Sequence, residues 1–163
     1  MGRLIAVVMV LAAAVAAPSH AANPACSSRA LDVWLNTQGG GVAAGSAYYK
    51  LEFTNLSAHA CTLRGYPGVS AITANGRQLG SAGGRNPAHA TRTITLARGG
   101  SALAVLQISD AHNFPPTSCR LVTAAGLRVY APGTTQAKTV PFPFATCANT
   151  RTVTLHTEPV QRA

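Results

Sequence analysis

Acidic residues are scarce in this chain. Four Asp and Glu stand against thirteen Lys and Arg in 163 residues, and none falls between Glu52 and Asp110. A glycosidase built on paired carboxylates is therefore not expected, the more so because Asp32 and Glu52 occupy outward positions of predicted strands. No C-x-x-C spacing occurs, so neither a dithiol redox site nor a zinc knuckle is indicated. The G-x-S-x-G elbow is missing, since the glycine–serine segments at Gly68–Ile72 and Gly99–Leu103 lack the final glycine. The histidines show no H-x-x-x-H pattern, and no metal site or cofactor is expected. A helical stripe of three turns is also missing beyond residue 22, which argues against an α or α/β fold.

The one long apolar run, Leu4 to Ala17, follows Arg3 and leads to small residues around Ser19–Ala21. It falls short of the roughly 20 residues that a spanning helix needs. Residues 1–22 are read as a secretory signal cut after Ala21 or Ala22, with no membrane span to follow. A lipid anchor is not expected, because Cys26 is preceded by Asn23-Pro24-Ala25 and not by a lipobox. Loss of Arg3 leaves twelve basic against four acidic residues, a net of +8. Residues 23–163 are expected to form one exported domain, either secreted or held at the cell envelope.

What is present is alternation of period two. Strands are predicted at Leu31–Leu35, Tyr49–Phe53, Val69–Thr73, Thr93–Leu96, Leu103–Ile108, Leu127–Tyr130, Thr139–Phe144 and Thr152–His156. Leu103–Ile108 is apolar on both faces, as a central strand is. Pro141 and Pro143, two apart, remove two donors from the same side of their strand, which places it at a sheet edge with Val140, Phe142 and Phe144 inward. The fold class is all-β: a two-sheet antiparallel sandwich, immunoglobulin-like in outline, with two disulfides.

Four cysteines, Cys26, Cys61, Cys119 and Cys147, allow three pairings. Residues that face each other across a hairpin are equidistant from its turn. The midpoint of Cys26 and Cys61 falls in the glycine-rich segment Gly39–Gly45, and that of Cys119 and Cys147 falls on Gly133. Cys26–Cys61 and Cys119–Cys147 are predicted on that ground, each as a staple at a hairpin base. In Tyr66-Pro67-Gly68-Val69, a type II turn with positive φ at Gly68 is expected. Gly80 to His89 reads as a mobile loop.

The segment Cys61-Thr62-Leu63-Arg64-Gly65-Tyr66-Pro67-Gly68-Val69 resembles the corner motif of a family of secreted actinobacterial domains of unknown function. It is preceded by Phe53-Thr54-Asn55 and followed by Leu96-Ala97-Arg98-Gly99-Gly100, which are similar to further parts of that family's pattern. The resemblance implies a β-sandwich with paired cysteines and carries over no catalytic residue.

The functional reading is a non-catalytic binding or structural module with a basic face. Arg64, Arg85, His89 and Arg92 are its candidate binding residues, and anionic cell-envelope polymers or another exported protein are its candidate partners. Nucleic acid is not expected, because the arginines are dispersed and an exported chain seldom meets it. Trp34 shares its strand face with Asp32 and Asn36; an outward Trp either stacks on a ligand or is covered by a loop or neighbouring strand, and cover is the expectation. The rival class is a small secreted hydrolase or transferase with a dispersed His/Asp/Ser set, with His112 beside Asp110 as the place to look. Asn55-Leu56-Ser57 has the form of a glycosylation sequon but is read as a strand-ending Asn.

Overall fold

A computed structural model describes residues 22–163. The secretory signal read over residues 1–22 lies, Ala22 apart, outside the described residues. The described chain is nearly all β. It runs β1 (Leu31–Ala43), β2 (Ser46–Asn55), β3 (Cys61–Arg64), β4 (Gly68–Ile72), β5 (Gln78–Ala82), β6 (Gly84–Arg85), β7 (Thr93–Leu96), β8 (Ser101–Ser109), a 3-10 turn at Ala111–Asn113, β9 (Leu121–Tyr130), β10 (Ala137–Cys147), β11 (Leu155–Thr157) and β12 (Gln161–Arg162). One sheet has the order β1-β2-β8-β11-β6 with β12 also on β8; a second has the order β10-β9-β4-β5; β3 and β7 pair by themselves. Pairing is antiparallel except for β11 with β6 and a single bridge between Ala25 and Thr62.

β8 is the central strand that its two apolar faces predict. Ala102, Ala104, Leu106 and Ile108 are buried, while the alternate residues are half-buried. They meet Leu31, Val33, Leu51 and Phe53 from the first hairpin and Val69, Leu127, Val129 and Val140 from the other layer in one core. Each such aliphatic or aromatic side chain contributes about 1.5–3 kcal/mol on burial. β10 is the edge strand that its prolines require. Pro141 and Pro143 are exposed, the register shifts between Pro141 and Phe144, and Val140 is buried. Phe142 and Phe144 pack half-buried on the core, Phe142 edge-on to Tyr49 at 5.1 Å.

The β1–β2 hairpin closes on Ala44 and Gly45, both at positive φ, with Ala43 opposite Ser46. Two residues at positive φ match the right-handed twist of the flanking strands. Thr37 to Gly40 bulge out of β1 between the paired residues Asn36 and Gly41. Asn36 holds the bulge through its Oδ1, which accepts from the N–H groups of Gln38 and Gly39.

Both predicted disulfides are present, Cys26–Cys61 and Cys119–Cys147. The second sits where the turn arithmetic puts it, at the base of the β9–β10 hairpin beside the Cys147–Leu121 pair. The first has a different setting from the one expected. Pro24 to Cys26 run parallel to β3, with the Cys26 N–H donating to Thr62 and the Thr62 N–H to Pro24. The bond therefore ties the N-terminal segment to β3 and does not span the base of β1–β2. Two disulfides fit an extracytoplasmic setting. Among the described residues no helix is long and apolar enough to cross a membrane.

Two loop expectations are corrected. Positive φ falls on Gly65 at +102°, not on Gly68, which opens β4 opposite Tyr130. The chain bends before Pro67, so Gly68 is free to enter the ladder. The stretch Gly80 to His89 is not loop throughout, because it contains the end of β5 and all of β6. Its glycines serve close packing: a Cβ on Gly83 would stand 2.6 Å from Val69, and one on Gly84 would stand 2.7 Å from the His156 ring.

Candidate anion-binding cleft

The bend between β3 and β4 is held by the C-terminal segment. Val160 donates its N–H to Gly65 at 2.9 Å, Thr157 donates its hydroxyl to Pro67 at 3.0 Å, and Asn86 donates its N–H to Thr157 at 2.8 Å. The tail thus docks on the corner that begins with Arg64 and brings the stretch at Asn86 with it. β6 pairs with β11 so that Arg85 lies opposite Thr157, and its guanidinium stands 5.6 Å from the centre of the Tyr66 ring. That distance is within cation–π range. Arg64 closes β3 opposite Thr93, the residue after Arg92.

Beside this corner lies a cleft of about 480 Å³. His89, Arg92 and Arg162 line it together with Gln161, and the buried residues Ile94 and Val160 form apolar parts of its wall. His89 Nε2 reaches Glu158 Oε2 at 3.6 Å and ties the 86–92 connection to the tail. The pair attracts only while the imidazole is protonated. Both ion pairs among the described residues use histidine, so no guanidinium there is paired with a carboxylate. Arg64, Arg85, Arg92 and Arg162 are all exposed. Four unpaired guanidiniums at one corner make a local excess of positive charge that screening by salt weakens.

Of the residues expected from sequence, His89 and Arg92 line the cleft, whereas Arg64 and Arg85 flank it, Arg64 opposite Thr93 and Arg85 over Tyr66. Trp34 does neither: it stands on β1, at the opposite edge of the sheet from β6. It is 42% exposed, so the expected cover by a loop or strand is wrong. β1 is an edge strand, so the indole has a neighbouring strand on one side only. Arg162, Gln161 and Glu158 were missed, because only the return of the tail along β8 carries them to the corner. His156 is half-buried on β11, with its Nδ1 buried and without a protein hydrogen-bond partner.

His112 and Asp110 do meet, but as a helix cap. Asp110 Oδ1 accepts from the His112 N–H at 3.0 Å and faces His112 Nδ1 at 2.8 Å at the start of the 3-10 turn. The backbone N–H of His112, then its ring, holds the Asp110 carboxyl below the usual aspartate range. Among the described residues no hydroxyl is hydrogen-bonded to His112, and no group of three His, Cys, Asp or Glu is placed to hold a metal ion. Asn55 ends β2 fully buried, its amide donating to the carbonyls of His59, Leu96 and Ala97, a poor acceptor for a glycan.

A family model described as a domain of unknown function, DUF4232, matches residues 26–161. No curated protein and no solved structure matches the chain.

Proposed function

We propose, for a chain that belongs to the DUF4232 family of domains of unknown function, the role of a non-catalytic exported module that binds anionic cell-envelope polymers. Residues 23–163 act as one domain on an immunoglobulin-like scaffold, and the cleft corner is its binding face. The observation that carries this reading is the convergence of Arg64, Arg85, Arg92 and Arg162 with no carboxylate paired to any of them. Guanidiniums suit phosphate and carboxylate groups because their planar donor forks match two oxygens at once. The apolar wall of Ile94 and Val160 gives room for the uncharged part of a polymer repeat. His89 lines the cleft and reaches Glu158 of the tail.

The test is retention of the mature, oxidised protein on isolated envelope material across a salt series. Retention is expected at low salt and should fall by about tenfold or more towards 1 M, where the screening length shrinks to about 3 Å. Replacing Arg64, Arg85 and Arg92 with Ala should abolish it while leaving the fold intact. Absence of retention at low salt contradicts the reading.

A further inference from the structure

The only tryptophan of the chain stands in the open on a face that also carries two of its four acidic residues. Asp32 and Trp34 alternate outward along β1, and the register puts Glu52 directly opposite Trp34. Residues paired across strands have Cβ atoms about 4.5–5.5 Å apart, and residues two apart along a strand are separated by roughly 7 Å. Both carboxylates are therefore within one side chain's reach of the indole. Asn36 Nδ2 donates to Glu52 Oε1 at 3.0 Å and orients that carboxylate. Neither Asp32 nor Glu52 is ion-paired among the described residues. Lys50, two residues before Glu52 on β2, lies over the bulge, since a Cβ on Gly39 would be 3.4 Å from its Cε and 3.5 Å from its Nζ. Its charge is thus turned to the far side of Asn36 from Asp32.

We propose that Trp34, Asp32 and Glu52 form a seat for an arginine side chain of a partner polypeptide. The charge of the chain as a whole repels cations, so two carboxylates without an ion-pair partner beside its one indole are a local exception that selects for one. A guanidinium is flat, stacks on the indole face and keeps its in-plane donors available to carboxylates on either side. An ammonium covers less of the ring and holds its own hydration more strongly. A neutral sugar would stack equally well but would leave both carboxylates without a counter-charge. The cleft residues Gln161 and Arg162 lie on β12, separated from the seat by the width of β8, so one copy can hold an anionic polymer and an arginine-bearing protein together.

Because Trp34 is the only tryptophan, its emission reports this face alone. The oxidised protein is titrated with the peptide Ac-Gly-Arg-Gly-Arg-Gly-amide and with its lysine counterpart. A saturable change in emission is expected for the arginine peptide, tighter than for the lysine peptide by about threefold or more. Asp32→Asn with Glu52→Gln, both isosteric, should weaken it by about tenfold with an unchanged thermal transition. No saturable response, or an equal one in the double variant, overturns the proposal. A response to chitotetraose in place of the peptide assigns the face to saccharides, and a change of emission on simple dilution assigns it to a second copy; either result overturns it.

Discussion

The two edges of the larger sheet are built in opposite ways. At the β1 edge, Asp32, Trp34 and Glu52 come from one hairpin, and their juxtaposition follows from alternation and a two-residue turn. On the other side, Arg85 of β6 and Arg162 of β12 adjoin Arg64 of β3 and Arg92 before β7, and only tertiary structure brings these four segments to one corner. A local site survives as long as its hairpin does. A convergent site depends on every contact that holds its segments, which is why the disulfide to β3 and the tail's hydrogen bonds to Gly65 and Pro67 lie there.

That contrast is most severely tested by Cys26→Ser with Cys61→Ser. Loss of this bond should lower stability by about 3–4 kcal/mol by the loop-entropy relation, measured by urea denaturation. Polymer retention should fall with it at denaturant levels where Trp34 emission is still native. Simultaneous loss of both signals would show that the two edges do not differ in robustness.

Asn55 joins the two regions, since it ends β2 and its amide reaches the carbonyls of Leu96, at the end of β7, and of Ala97. Asn55→Ala leaves buried carbonyls without a donor and should cost about 1–3 kcal/mol, read from the shift in denaturation midpoint. The smallest effect is expected at Ala44, which holds φ +48° in the β1–β2 turn. Ala44→Asn should stabilise the hairpin by about 0.5–1 kcal/mol, because Asn adopts left-handed backbone more readily. The gain should appear in hydrogen exchange of β1 and β2 and leave the cleft unaffected.

These two edges also mark what can be read from the chain and what cannot. Period-two patterning gave the outward face of Asp32, Trp34 and Asn36, the central place of β8 and the edge place of β10, because a strand's two faces and its donors are local properties. The cysteine pairing followed from turn centres, although Cys26 reaches β3 by a parallel bridge that hairpin symmetry does not describe. Gly68 was misplaced because a Pro-Gly pair resembles a turn wherever it stands, whereas here Gly65 makes the bend. Gly83 and Gly84 look like loop composition but answer to the approach of Val69 and His156, neighbours that only the folded chain supplies. Arg162 belongs to the cleft for the same reason, being far in sequence from the acid-free run between Glu52 and Asp110 that holds the other arginines.

The central claim is that the corner arginines bind polyanions as a set, beyond the effect of net charge. The most direct measurement is a map of amide chemical shifts in the 15N-labelled, oxidised protein on addition of inorganic polyphosphate. Arg29, Arg77, Arg98, Arg120 and Arg151 are exposed as well, and serve as internal controls. Saturable shifts confined to Arg64, Gly65, Arg85, the segment from His89 to Arg92, and Arg162 are predicted, with the Trp34 indole unmoved. Equal shifts around the control arginines would contradict the claim and reduce the basic corner to one part of a uniformly charged surface.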